Sequence, residues 1–170
     1  MYYPDNPNIV RMFTSVVAHA DILHLIGNLI FFIAFAAVLE VYLNKVFIFI
    51  AANVLFTVVG ALAYSASVTL GALAMPGLGL SAVVMGMVGM ALALIPKQKI
   101  PVFVWLLFYI RRLALSVWLV ACFYIGIDLI AVLLNGLDSA VNFIAHLAGG
   151  VAGYLFGMVL NKLGISRRVA

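Results

Sequence analysis

Fourteen charged side chains are all that this chain of 170 residues carries, and they fall at positions 5, 11, 21, 40, 45, 97, 99, 111, 112, 128, 138, 162, 167 and 168. That is 8% of the chain, against roughly 25% in a soluble domain. So few charges cannot cover a soluble globule, and a chain that is 68% hydrophobic is not a disordered one. The net charge of +4 is scattered between apolar runs, so no nucleic-acid partner is expected. Cys122 is the single cysteine, which excludes an internal disulfide framework and a cysteine-based zinc site. What remains is an all-α, polytopic bundle of transmembrane helices whose surroundings are a lipid bilayer.

The runs between charges set the spans. Residues 22–39 are uncharged, and the apolar run continues past Glu40 to Leu43. Residues 46–96 form an uncharged stretch of 51, too long for one crossing of a core roughly 30 Å thick. A Gly-, Ser- and Pro-bearing break near Ser65–Gly79 divides it. We therefore expect one membrane domain over 1–170. Its five spans lie near 22–43, 46–68, 81–96, 113–135 and 139–161. Residues 1–21 form an outer loop and 162–170 a tail. No short apolar stretch follows a basic start, so no signal peptide is expected. Residues 100–112, IPVFVWLLFYIRR, are too short to cross and are expected to lie along the interface. Five spans put eight of the nine cations on one side, with Arg11 opposite. By the positive-inside rule that side, with the C-terminus, is cytoplasmic.

Polar groups inside the apolar runs are candidates for function. They are His24, Asn28, Ser81, Asp128 and His146. At ~1.5 Å of rise per residue, Ser81, His146 and Asn28 all come to about 22–25 Å above the cytoplasmic end of their helices. Three helices thus place a polar group in one layer, about 5–8 Å below the outer surface of a core of about 30 Å. A serine hydroxyl becomes a nucleophile when a base takes its proton, and neutral imidazole suits that task. Ser81 opens a helix after Gly77 and Gly79, where free N–H groups and the helix dipole favour an oxyanion. His24 and Asn28, four apart, share a helix face and could donate to the same oxyanion. Taken singly, each residue has a plainer reading. A serine in a membrane helix usually bonds its own turn, and Asn or His glues helices together. The GGVAGYLFG segment, with Gly149, Gly150, Gly153 and Gly157, reads as close helix packing. Met85, Met87 and Met90 read as packing too. No H-E-x-x-H metal motif is present, an aspartyl dyad lacks its second carboxylate, and a transporter would show an internal repeat. No metal or other cofactor is expected.

Three blocks together resemble the rhomboid family of intramembrane serine proteases. FTSVVAHADILHLIGNLIFF contains His19, His24 and Asn28 in the family's H-x4-H-x3-N. Gly79-Leu80-Ser81 is similar to its G-x-S at a helix start, with Gly89 eight residues on. AHLAGGVAG is similar to its A-H-x-x-G-x-x-x-G. The resemblance implies a Ser–His dyad rather than a triad, with Ser81 as nucleophile and His146 as general base. His24, Asn28 and the Ser81 backbone N–H would form the oxyanion hole, and His19 would hold the outer loop. Substrates would be transmembrane segments of other proteins, entering from lipid past the helix near 115–135 and cut near the outer surface of a bacterial inner (plasma) membrane. The alternative is a rhomboid-like protein that binds transmembrane clients without cleavage.

Four departures accompany the resemblance. Ala82 stands where the family usually has glycine. Met85 replaces the aromatic that commonly packs on the catalytic histidine. The usual first transmembrane helix has no counterpart before His24, so a five-helix or shortened form is expected. Asp128 is left unexplained by that chemistry and is expected to face the bundle or to be neutral.

Overall fold

The computed structural model describes residues 1–43, 45–106, 109–135 and 142–165. The chain opens with a short helix, α1 (Ile9–Thr14), and a 3-10 turn at Ser15–Val17. Two long helices follow, α2 (Ile22–Leu43) and α3 (Val46–Thr69), then the shorter α4 (Ser81–Leu94). A hairpin of β1 (Lys99–Leu106) and β2 (Tyr109–Ser116) precedes α5 (Val117–Asn135) and α6 (Phe143–Lys162). Local signals explain several of these boundaries. Asp21 caps α2 by accepting from the His24 N–H at 2.8 Å, and Asn142 caps α6 by accepting from the Ala145 N–H at 3.0 Å. Ile95 and Pro96 end α4, because the residue before a proline is pushed out of helical geometry.

α2, α3, α5 and α6 are each long and apolar enough to cross a bilayer. α4 is different. Its 14 residues rise about 21 Å, short of a core of roughly 30 Å. Every residue from Val83 to Ala91 is buried, so α4 is the axis around which the others pack. Outward faces of the long helices carry exposed Leu23, Ile33, Phe123, Leu133 and Leu134, as lipid contact requires.

The tightest contact is between α4 and α6. A methyl group added to Gly153 would collide with the Gly86 carbonyl oxygen, and one on Gly149 with that of Ala82. In return, a methyl on Gly89 would collide with the Gly150 carbonyl oxygen. Backbone therefore lies on backbone along two helical turns. This is the membrane way of joining helices, where lipid tails remove any hydrophobic drive to associate.

The hairpin is the one departure from helix among the described elements longer than a turn. The sequence places residues 100–112 along the interface and opens the fourth span at 113. The structure pairs Lys99 with Ser116 and Leu106 with Tyr109, so 113–116 belong to β2 and the helix starts at Val117. Ile100, Val102, Val104 and Ile110 suit extended backbone, and Pro101 is tolerated because both strands are edges. Residues 139–141, expected to begin the last span, lie outside the described residues, as do Asp138, Arg167 and Arg168.

Gly153→Ala should lower the unfolding temperature in detergent by several degrees, at a cost of about 1–3 kcal/mol for overpacking. Gly126→Ala is the control, because nothing lies within 4 Å of that position. It should leave stability unchanged or slightly raised.

Candidate active site

Ser81 is the first residue of α4 and His146 lies in the first turn of α6. The seam between these helices brings the two together: Ser81 Oγ and His146 Nε2 are 2.7 Å apart. On the far side of the ring, His146 Nδ1 lies 3.1 Å from Asp128 Oδ2 of α5. Side-chain exposure is 14% for His146 and 10% for Asp128, so the pair is largely withdrawn from solvent. The edge of Phe143 meets the imidazole, with ring centroids 6.1 Å apart.

The loop before Ser81 is held by the N-terminal segment. Tyr2 and Gly77 exchange backbone hydrogen bonds of 2.8 and 2.7 Å. The Gly79 N–H donates to the Ser15 carbonyl at 3.0 Å. The Tyr64 hydroxyl donates to the Met75 carbonyl at 2.7 Å and accepts from the Met75 N–H at 3.0 Å. Gly79 has φ +108°, a conformation that disfavours any side chain. A methyl there would also press on His24, with its nearest contact at 3.0 Å.

His24 and Asn28 approach from α2. A side chain on Gly79 would meet His24 Nε2 at 3.1 Å and Asn28 Nδ2 at 3.6 Å, so both lie beside the turn that presents Ser81. Asn28 Nδ2 is buried and has no hydrogen-bond partner. Buried donors are normally satisfied, so an unpaired one beside Ser81 stands out. No side chain caps the start of α4, which leaves its first N–H groups open. His19 packs edge-on against the His24 ring at 5.1 Å between centroids. It thus supports a neighbouring site residue as well as the loop.

Two cavities meet at this point. One, of about 460 Å³, is lined by Asp21, Tyr64, Asn142 and the loop at Met75–Leu78, and it reaches His24, Ser81 and His146. The other, of about 370 Å³, lies among α2, α4 and α5. Phe31, Val84, Met85, Val88, Tyr124 and Ile127 give it mostly apolar walls around the same three residues and Asp128. The Ser–His pair thus sits between a more polar opening at the loop end and an apolar one between helices.

The family model for the Rhomboid domain matches residues 6–163. The chain belongs to the rhomboid family. It is an integral, multi-pass membrane protein of a family made up of intramembrane proteases and inactive relatives. No curated protein and no solved structure matches it.

Within this rhomboid, the structure accounts for two positions that the sequence leaves open. Ala82, in place of the usual glycine, has its methyl facing Gly60 of α3. A methyl added at Gly60 would stand only 2.8 Å from it. Asp128 is the larger surprise. The sequence supplies it no chemistry, and the resemblance implies a dyad, yet it lies in line with His146 and Ser81. Spacing could not reveal this, because Asp128 and His146 are on different helices, α5 and α6, whose relative rotation the sequence does not report. The one available signal was an acid inside a span.

The Gly60–Ala82 contact is testable by a double-mutant cycle. Gly60→Ala alone should destabilise the protein. In the Gly60→Ala/Ala82→Gly double variant the loss should be smaller than the sum of the two single losses by about 0.5–3 kcal/mol. Detergent unfolding curves of all four proteins give the coupling.

Proposed function

We propose that this rhomboid is an active intramembrane serine endopeptidase that hydrolyses peptide bonds in or beside transmembrane segments of other proteins. The observation that carries the reading is the 2.7 Å contact of Ser81 Oγ with His146 Nε2 where the two cavities meet. An apolar segment has access from one side and water from the other. Hydrolysis inside a membrane needs both.

In the acylation step, Ser81 Oγ attacks the scissile carbonyl carbon as its proton passes to His146 Nε2. The carbonyl π electrons move onto oxygen. The Asn28 amide, the His24 ring and the Ser81 backbone N–H donate to that oxyanion. Collapse of the intermediate breaks the C–N bond, and His146 returns the proton to the departing amine. In the second half a water attacks the acyl-serine ester and gives its proton to His146. The acid then leaves and the Ser81 hydroxyl is restored.

Substrate enters sideways between α2 and α5. The ring of Phe31 meets that of Tyr124 across this seam, edge-to-face at 4.8 Å between centroids. The bundle stands with the Ser81 end outward and the basic end, with the hairpin, in the cytoplasm of a bacterial cell.

A fluorophosphonate probe tests the chemistry directly. The purified protein should label, and Ser81→Ala and His146→Ala should not. Asn28→Ala should slow labelling by roughly 10²–10³-fold, the usual loss for one oxyanion donor. A folded wild type that neither labels nor cleaves a transmembrane substrate would refute the protease reading in favour of client binding. Orientation has its own measurement: a C-terminal reporter should read cytoplasmic, and an outward reading refutes the topology.

A further inference from the structure

Asp128 sits within α5 among Ile127, Leu129 and Ile130, all of which are exposed to the lipid side, yet Asp128 itself is 7% exposed. Its carboxylate turns inward to the catalytic cavity and lies against His146 Nδ1 at 3.1 Å. A neutral imidazole carries one ring proton. A carboxylate can only accept, so with Asp128 ionised that proton must be on Nδ1. The Nε2 lone pair is then left facing the Ser81 hydroxyl. With the reverse tautomer, Nε2–H would point at Ser81 Oγ and the ring could accept nothing from it.

We propose that Asp128 is a positioning residue which holds His146 in the Nδ1–H tautomer and fixes its ring toward Ser81, so that this chain works through an Asp128–His146–Ser81 triad rather than a dyad. The tautomer claim stands on that contact between an ionised carboxylate and a neutral imidazole. Its consequence for turnover rests on the serine-protease reading above. Throughout the cycle the proton of Ser81 travels only to Nε2 and on to the leaving amine, and Asp128 remains a carboxylate. The arrangement also answers a gap in the site. The position one turn after Ser81, where a ring would hold the imidazole, is Met85. A flexible thioether positions a ring less firmly than an aromatic face. The Asp128 hydrogen bond at Nδ1 supplies a hold of its own.

Plain helix glue between α5 and α6 is the competing account, and Asp128→Asn separates the two. An amide glues as well as a carboxylate, but it can also donate to Nδ1 and so permits the wrong tautomer. The first measurement needs no enzyme activity. In protein labelled with ¹⁵N-histidine, the His146 signals are assigned by their loss in His146→Gln. Wild type should show a protonated Nδ1 and an unprotonated Nε2. In Asp128→Asn the Nε2–H form should appear. A wild-type spectrum with Nε2 protonated overturns the proposal, and so does a spectrum that Asp128→Asn leaves unchanged. If the Asn variant fails to fold, the wild-type spectrum alone still decides. The second measurement is catalytic. Asp128→Asn should lower kcat and fluorophosphonate labelling by roughly 10²–10⁴-fold, with KM for a transmembrane substrate and the unfolding temperature unchanged. Labelling within twofold of wild type overturns the proposal while leaving the protease reading intact. A wild type with the Nδ1–H tautomer that never labels sinks the protease reading and leaves the hold of Asp128 on His146 standing.

Discussion

The site depends on two helices that touch with almost nothing between them. At Gly86, Gly89, Gly149 and Gly153 the backbones of α4 and α6 meet directly. Contacts of this kind cannot adjust by turning a side chain, so they set the offset of the two helices along their axes. A slip of one turn moves a residue by about 5.4 Å, well beyond the reach of a hydrogen bond. Ala82 opposes Gly149 at the top of the seam. Ser81 is one residue before Ala82 and His146 three before Gly149, so the same register that seats the glycines sets the 2.7 Å contact.

The shortness of α4 is the second constraint. A helix that crossed the whole core would have its first N–H groups at the water interface. Starting α4 inside the bundle instead forces irregular backbone below the membrane surface. Such backbone is tolerated only where protein or water satisfies it. Tyr2, Ser15 and Tyr64 do this for Gly77, Gly79 and Met75. These groups are spent on structure. The Asn28 amide and the uncapped N–H groups of α4 are not spent. The partition separates what holds the loop from what is left open at the site.

Much of this was legible from where the charges fall. The apolar runs between them mark five helices, and counting rise from the basic end puts Ser81, His146 and Asn28 at one depth. The hairpin was not legible. The sequence between Leu106 and Tyr109 carries no Gly, Asn or Asp to mark a hairpin, and the strand sequences show no regular apolar–polar alternation, so period two is hidden. The room made for Ala82 was equally hidden, since Gly60 is on another helix and only packing relates them. Asp128 could be singled out as costly to bury, but its partner depends on how α5 rotates against α6. Nothing in an apolar helix that is greasy all round reports that rotation.

An imidazole can be held in two ways, and they do different things. A ring packed on its face limits tilt but leaves both tautomers open. A carboxylate on Nδ1 limits rotation and selects the tautomer as well. The second way carries a cost, because a carboxylate removed from water loses several kcal/mol of hydration unless it is paired. Here the cost is offset by the imidazole itself, 3.1 Å from the carboxylate. Burying Asp128 next to His146 would therefore be poor economy for mere attachment of α5 to α6, since an asparagine or a glycine seam attaches helices without a charge. The carboxylate makes sense at that position only if the direction of the imidazole lone pair matters, and Ser81 lies in that direction.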